Sequence, residues 1–179
     1  MFDIKIIPAI RIDDELSEAL LTRCELIFDL NPDLLSLKSK VDAVHRAGKK
    51  IYIHFDLASG IAKDKSGMVY VKALGVDGII STRVNIIKLA REIGLFTVQR
   101  FFIVDSHSVE TTVESAKTAK PDMIEIMPGV IPKIIKNIRC KLNIPIIAGG
   151  LIETKEEISN VMKSGATAIS SGSKELWEL

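Results

Sequence analysis

The chain has 179 residues, 47% hydrophobic and 26% charged, a composition that suits one soluble domain with a sizeable core. Lys plus Arg number 24 and Asp plus Glu number 23, so the net charge of +1 argues against a strongly basic nucleic-acid binder, although a local basic patch remains compatible. No apolar run approaches the ~20 residues that span a bilayer, the N-terminus lacks a signal-peptide pattern, and Cys24 and Cys140 lie far apart, so we expect a cytoplasmic protein without membrane contact or a metal site.

Apolar runs of strand length alternate with helical patterns along the whole chain. Several runs are almost entirely apolar, which is typical of parallel strands covered on both faces. Eight strands are predicted, over residues 5–10, 26–30, 51–55, 78–81, 97–103, 123–127, 144–148 and 168–171. Patterns with apolar residues three and four apart predict helices over 13–23, 32–47, 66–73, 85–93, 108–119, 130–141, 154–164 and 173–179.

The alternation predicts an α/β fold in one domain, residues 1–179. Eight βα units in 179 residues average about 22 residues each, whereas a typical (β/α)8 barrel has ~250 residues in all. We therefore predict a compact, irregular TIM-barrel-like fold with short helices. The same alternation also permits an open doubly wound sheet. The strand count and the two terminal loops favour the barrel.

Two apolar runs near the C-terminus each stop at small residues and are followed by a helical pattern. The first ends at Gly149-Gly150 and the second at Ser171-Gly172. In a (β/α)8 barrel, the loops after strands 7 and 8 form a common phosphate site, because backbone N–H groups and a helix N-terminus converge there. The pair of loops predicts binding of a phosphorylated small molecule. A tight turn and a helix cap are the alternative explanation.

Strand alternation places polar side chains inside the predicted barrel. His54 and Asp56 alternate with apolar residues, Glu125 stands between two isoleucines, and one of Gln99 and Arg100 must also point inward. Acids and bases near the C-terminal ends of barrel strands are in the position used for catalysis or ligand binding. The alternative is a satisfied internal ion pair, such as Arg100 with Glu125.

Arginines also follow two of the predicted strands. Arg83 could contact a phosphate or carboxylate bidentately, or could be solvated, and Arg11 has the same two readings. No lysine stands at a strand end where a Schiff-base nucleophile is expected, so we predict no catalytic set and no cofactor. The alternative is a small barrel isomerase or lyase on a phosphorylated substrate, with Asp56 or Glu125 as the base.

Eight short segments together carry a family resemblance. They are Pro8-Ala9-Ile10-Arg11, His54-Phe55-Asp56-Leu57 with Gly60 and Asp64, Gly78-Ile79-Ile80-Ser81-Thr82-Arg83, Gln99-Arg100-Phe101-Phe102-Ile103-Val104-Asp105-Ser106, Pro121-Asp122 with Ile124-Glu125, Pro128-Gly129, Ala148-Gly149-Gly150, and Ser170-Ser171-Gly172-Ser173-Lys174-Glu175-Leu176-Trp177. In this order, and over nearly the whole chain, they resemble the glycerol uptake operon antiterminator family, the glycerol-3-phosphate-responsive antiterminators.

The resemblance implies a TIM-barrel-like regulator, not an enzyme, with glycerol 3-phosphate as its effector. In that family the liganded protein binds the leader of a glycerol-metabolism mRNA and prevents a terminator hairpin from forming. The ligand would favour the conformation or homo-oligomer that holds the leader mRNA. The implied ligand site has phosphate at Gly149, Gly150, Ser171 and Gly172, and glycerol hydroxyls at His54, Asp56, Arg100 or Glu125.

The chain departs from the family pattern at two places. Gly172 stands where Ser is expected, and residues 29–32 differ from the usual loop after strand 2. The first change is compatible with phosphate binding by the backbone. The second leaves the ligand or RNA role of that loop open.

Basic helices offer two candidate RNA-binding surfaces, with solvated helix faces as the alternative for both. The first is on the helix predicted over 130–141, where basic side chains could track RNA phosphates: Lys133, Lys136, Arg139 and Lys141. The second comprises Lys38, Lys40, Arg46, Lys49 and Lys50. Aromatic residues make up only 5% of the chain, so few side chains are available to stack on RNA bases.

Overall fold

The computed structural model describes residues 6–179 and shows eight parallel strands, each followed by a helix. The strands are Ile6–Ile10 (β1), Leu26–Asp29 (β2), Lys50–His54 (β3), Gly78–Ser81 (β4), Phe96–Phe102 (β5), Met123–Met127 (β6), Ile146–Gly149 (β7) and Ala168–Ser171 (β8). The helices are Leu16–Leu21 (α1), Leu34–Arg46 (α2), Lys65–Ala73 (α3), Val84–Ile93 (α4), Ser106–Ala119 (α5), Pro132–Lys141 (α6), Lys155–Lys163 (α7) and Lys174–Trp177 (α8).

The sheet closes on itself. Each strand pairs in parallel with the next, and β1 also pairs with β8, with Ile7 opposite Ser170 and Pro8 opposite Ser171. The predicted TIM-barrel-like α/β fold is confirmed, and the alternative of an open doubly wound sheet is wrong. The first predicted strand began at Lys5, which lies outside the described residues.

The helices are short, and several elements are trimmed relative to the sequence prediction. The helix predicted over 13–23 begins as a 3-10 turn, Asp13–Glu15, in which the Glu15 carboxylate accepts the backbone N–H of Arg11 at 2.6 Å. β7 begins at Ile146 rather than at residue 144, because Pro145 has no N–H for the ladder. Within residues 6–179, no helix is long and apolar enough to cross a membrane.

The apolar side chains form two separate cores. Ile51, Ile53 and Phe55 face the helices, as do Ile124 and Ile126. This arrangement confirms the predicted alternation of β3 and β6. The outer core therefore leaves the opposite faces of these strands for the barrel interior.

Three aromatic rings, from β2, β3 and β5, stack in a row. Tyr52 stacks between Phe28, at 6.0 Å between ring centroids, and Phe96, at 5.2 Å. A Cβ atom on Gly78 would lie 2.7 Å from the Tyr52 ring, so only glycine fits there. Burial raises the pKa of Tyr52 to about 12, which keeps the phenol neutral.

Candidate functional site

A buried ion pair lies inside the barrel towards the carboxyl ends of its strands. Arg100 and Glu125 are direct register partners on β5 and β6, and Nε of Arg100 donates to Oε2 of Glu125 at 2.6 Å. Oγ of Ser170 donates to the other carboxylate oxygen, Oε1, at 2.5 Å. Gln99 points outward instead and donates to Oγ of Ser115 on α5 at 2.9 Å. Arg100 is therefore the inward member of the Gln99–Arg100 pair.

His54 lies close to this ion pair and is 4% exposed. Its pKa is lowered to about 4 by burial and then by the Arg100 charge, against the opposing effect of Asp56 and Glu125. The imidazole is therefore neutral at pH 7. Its Nδ1 atom is buried and has no hydrogen-bond partner among residues 6–179. A buried nitrogen in this state offers a hydrogen bond to a ligand that enters the barrel.

Asp56 is held at the mouth of the barrel by the loop that follows β4. One of its oxygens accepts from Oγ of Ser81 at 2.7 Å. The other accepts from the backbone N–H of Thr82 at 2.8 Å and from Oγ1 of Thr82 at 3.0 Å. Nε of Arg83 lies 4.0 Å from Asp56, and the Arg83 side chain is exposed. Asp56 thus ties the β3 and β4 loops together.

The loop after β7 is shaped by close contacts around two glycines. A Cβ atom on Gly149 would lie 2.5 Å from Oγ of Ser170 and 2.6 Å from Oε1 of Glu125. Gly150 has φ +74°, in the left-handed region that favours glycine. The backbone N–H of Gly129 donates to the carbonyls of Gly149 at 2.6 Å and Gly150 at 3.1 Å. The loop is thereby fixed against the end of β6.

The last two residues of β8, Ser170 and Ser171, are serines whose side chains point in different directions. Ser170 points into the barrel, whereas Oγ of Ser171 accepts the backbone N–H of Ser173 at 3.0 Å. The site prediction named Ser171 and missed Ser170, although two-residue alternation from Ala168, an interior residue, places Ser170 inside. A Cβ atom on Gly172 would lie 3.3 Å from Nη1 of Arg11, so the guanidinium of Arg11 lies beside the loop after β8.

The first candidate RNA surface lies on α6, which has four basic residues and no acidic one. Lys133, Lys136 and Lys141 are exposed. Arg139 is also exposed, but its Nη1 lies 3.4 Å from the carbonyl of Leu142, and its stem packs beside the Cα of Gly165. Three cations and the outer part of a fourth therefore face outward from one helix.

Several residues of the second basic set have structural contacts. Lys40 is buried, and its Nζ pairs with Asp29 at 3.0 Å and Asp13 at 2.7 Å. Nζ of Lys49 donates to the carbonyls of Thr22 and Cys24, at 2.5 and 2.6 Å. These two ammonium groups are not open to RNA phosphates in this conformation.

The loop at residues 29–32, which departs from the family pattern, is held by the same buried lysine. The Asp29 carboxylate pairs with Lys40 and also accepts the backbone N–H of Asn31 at 3.1 Å. Burial raises the pKa of Asp29, although Lys40 opposes this effect. The backbone N–H of Ser59 donates to the carbonyl of Pro32 at 2.8 Å, which fastens this loop to the β3 loop.

The mouth therefore combines a neutral histidine, a buried ion pair and two loops rich in small residues. Both acids there are already engaged, Glu125 by Arg100 and Ser170 and Asp56 by Ser81 and Thr82. Within residues 6–179, no group of three or more His, Cys, Asp or Glu residues is placed to hold a metal ion. The arrangement is suited to binding a small polar molecule.

Comparison with known proteins points to one family. The model of the glycerol-3-phosphate responsive antiterminator family matches residues 6–177. The glycerol uptake operon antiterminator regulatory protein of Listeria monocytogenes str. 4b F2365 is 35% identical, with a TM-score of 0.92 over 99% of this chain and 96% of that one. A glycerol uptake operon antiterminator-related protein of Thermotoga maritima MSB8 is 32% identical, with a TM-score of 0.88 over 100% of both chains.

Two further proteins are similar to this chain but carry less information on its function. The uncharacterized protein YgcP of Escherichia coli (strain K12) is 33% identical over 97% of this chain and 92% of its own length. The aldolase QR15 superposes on 97% of this chain and 93% of its own, with a TM-score of 0.77 at 13% identity, a likeness that shows the fold alone. The match over residues 6–177 places the chain in the family of glycerol-3-phosphate responsive antiterminators.

Proposed function

We propose that this protein is a glycerol-3-phosphate sensor that, when liganded, holds the leader of a glycerol-metabolism mRNA and prevents a terminator hairpin from forming. Membership of the antiterminator family supports the regulatory role. The ligand enters at the carboxyl ends of the strands, with its phosphate at the loops after β7 and β8. Its glycerol hydroxyls point down towards His54 and the Arg100–Glu125 pair.

The observation that carries the ligand proposal is the buried, unpartnered Nδ1 of His54. A buried polar atom without a partner is costly, and a hydrogen bond from a ligand hydroxyl to Nδ1, in either direction, removes that cost. The imidazole is neutral at pH 7, because burial lowers its pKa to about 4. A neutral imidazole nitrogen suits an uncharged hydroxyl, which can donate or accept, whereas the phosphate is better placed at the loops.

The enzyme alternative receives less support from the same geometry. A general base needs a carboxylate oxygen within hydrogen-bond reach of a substrate proton. Asp56 accepts three hydrogen bonds from Ser81 and Thr82, and Glu125 has a partner on each of its oxygens. Carboxylates that are already engaged in this way favour a site that orients a ligand over a site that removes a proton.

The proposed RNA surface is the basic face of α6, formed by Lys133, Lys136, Arg139 and Lys141. Exposed cations without neighbouring acids on the same helix gain affinity for a polyanion by releasing its counterions. The contacts that hold Lys40 and Lys49 make the second basic set a poorer choice. Coupling to the ligand requires that the liganded and free states differ in RNA affinity.

Two titrations test the proposal. The first measures binding of glycerol 3-phosphate by calorimetry, with glycerol and inorganic phosphate as comparison ligands. The second measures affinity for a glycerol-operon leader RNA with and without saturating glycerol 3-phosphate. Equal RNA affinities with and without glycerol 3-phosphate would contradict the regulatory role. Ligand binding without RNA binding would indicate a protein that only binds the ligand. Turnover of triose or sugar phosphates that Asp56→Asn abolishes would instead establish the enzyme.

A further inference from the structure

Arg11 stands at the mouth of the barrel beside the loop after β8. It directly follows β1 and lies two residues after Ala9, whose side chain is in the barrel interior. Alternation therefore directs Arg11 towards the mouth. Its Nη1 atom lies 3.3 Å from the position that a Cβ atom on Gly172 would occupy. The guanidinium thus lies beside the first residue after β8.

The Arg11 guanidinium has no acidic partner among the residues that the structure describes. No ion pair within residues 6–179 includes Arg11. Glu15, a carboxylate in the same stretch of chain, accepts the backbone N–H groups of Arg11 and Ile12 through Oε2. The arginine is also exposed. Its charged donors are therefore open to a ligand.

The other arginine singled out at a strand end stands in a different setting. Arg83 follows β4, which lies four strands from β8 in the closed barrel. Its Nε atom lies 4.0 Å from Asp56, so a carboxylate already offsets part of the positive charge of Arg83. Arg11, unlike Arg83, is both unpaired and next to a loop of small residues.

We propose that Arg11 is the arginine that holds the phosphomonoester group of the ligand, and that glycine at position 172 gives its guanidinium room beside the β8 loop. The inference rests on the proposed function, because it assigns one end of the same ligand. A guanidinium presents paired N–H donors that match two phosphate oxygens, whereas a serine hydroxyl presents one. Arg11 lies in a segment that fits the family pattern, so the departure at position 172 removes a hydroxyl beside the arginine without replacing it by the arginine.

The contact between Arg11 and Gly172 makes the two positions interdependent. A Cβ atom at 3.3 Å from Nη1 is tighter than most side-chain contacts, so serine at position 172 pushes the guanidinium away. Gly172→Ser should thus weaken phosphate binding while Arg11 is present. When Arg11 is absent, the new hydroxyl has room and supplies one neutral donor. The same substitution is expected to have opposite signs in the two backgrounds.

The test is a mutant cycle on the full chain with glycerol 3-phosphate, inorganic phosphate and glycerol as probes in calorimetry. Arg11→Ala should lower glycerol 3-phosphate affinity by about ten- to a hundredfold, as expected for lost charged hydrogen bonds. Arg11→Lys should recover part of this loss, because lysine keeps the positive charge but lacks the paired N–H donors of the guanidinium. Adding Gly172→Ser to Arg11→Ala should strengthen binding by about two- to tenfold. Arg23→Ala, at an exposed arginine after α1, is the matched control and should bind as the parent does.

The outcomes separate this inference from the proposed function. If the parent protein binds no glycerol 3-phosphate, the proposed function fails at its first step. If the parent binds it and Arg11→Ala binds equally well, with an unchanged melting temperature, the assignment of Arg11 is overturned. A loss of glycerol binding in Arg11→Ala without a loss of phosphate binding would also overturn it, because the arginine would then contact the polyol.

Discussion

Gly149 lies against Glu125 inside the barrel: a Cβ atom on the glycine would come within 2.6 Å of the carboxylate Oε1. The same Cβ would lie 2.5 Å from Oγ of Ser170. We therefore expect Gly149→Ala to destabilise the protein by about 1–3 kcal/mol, the usual cost of overpacking a well-filled interior. Urea unfolding followed by circular dichroism measures this difference.

Gly172→Ala is the control for that substitution. The φ angle of Gly172 is not in the left-handed region, and the atom nearest to an added Cβ is the far end of the flexible Arg11 side chain at 3.3 Å. Its alanine variant should unfold within about 0.5 kcal/mol of the parent. If Gly149→Ala proves equally harmless, the packing of Gly149 against Glu125 and Ser170 is looser than described.

The Arg100–Glu125 pair should show strong coupling. Glu125→Leu leaves the buried guanidinium of Arg100 without its carboxylate, and such a loss costs about 3–5 kcal/mol. Adding Arg100→Met should recover much of that stability, because the remaining buried charge is removed. The unfolding free energies of the two single variants and the double variant give the coupling directly. Additive losses would show that the pair contributes little as a pair.

Sequence reasoning succeeded where only one face of a strand could be polar. His54 and Glu125 each alternate with large apolar residues, so their inward direction was predictable. The choice between Gln99 and Arg100 was not, because a barrel strand is covered on both faces and β5 has apolar residues in both phases. The same ambiguity applies to β8. Because Ala168 and Ile169 are both apolar, the sequence does not show which of Ser170 and Ser171 faces the barrel interior.

Contacts between residues far apart in the chain also could not be predicted from the sequence. The pairing of Lys40 with Asp29 joins residues 11 apart on a helix and a strand, and no local pattern distinguishes that lysine from its solvated neighbours. Closure of the barrel depends on β1 meeting β8, the most distant pair of strands in the chain. The proximity of Arg11 to Gly172 follows from that closure.

Acid should destabilise the protein through His54. Burial lowers its pKa in the folded state to about 4 from the ordinary 6.5, so between these values the unfolded chain binds a proton that the folded protein does not. The stability present above pH 6.5 is therefore lost as the pH falls towards 4, by about 3 kcal/mol in total. The pH dependence of the unfolding free energy over this window measures the effect.

His54→Asn isolates this contribution, because asparagine does not titrate and keeps a polar atom near the position of Nδ1. Its stability should change less steeply between pH 6.5 and pH 4 than that of the parent. His107→Asn, at an exposed histidine on α5, should retain the parental slope. Parallel slopes for the parent and His54→Asn would contradict the assignment of the effect to His54.

If the basic face of α6 binds RNA, the RNA affinity should depend on salt concentration through the lysines of this helix. If Lys136 contacts an RNA phosphate, Lys136→Ala should weaken leader-RNA binding and reduce the slope of log affinity against log salt concentration by about 0.7–0.9. Lys88→Ala is the matched control, because Lys88 is an exposed helical lysine on α4 and belongs to neither candidate RNA surface. Fluorescence anisotropy of a labelled leader RNA at several salt concentrations, with saturating glycerol 3-phosphate, gives both quantities. An unchanged slope in Lys136→Ala, together with unchanged glycerol 3-phosphate binding, would move the RNA surface away from α6.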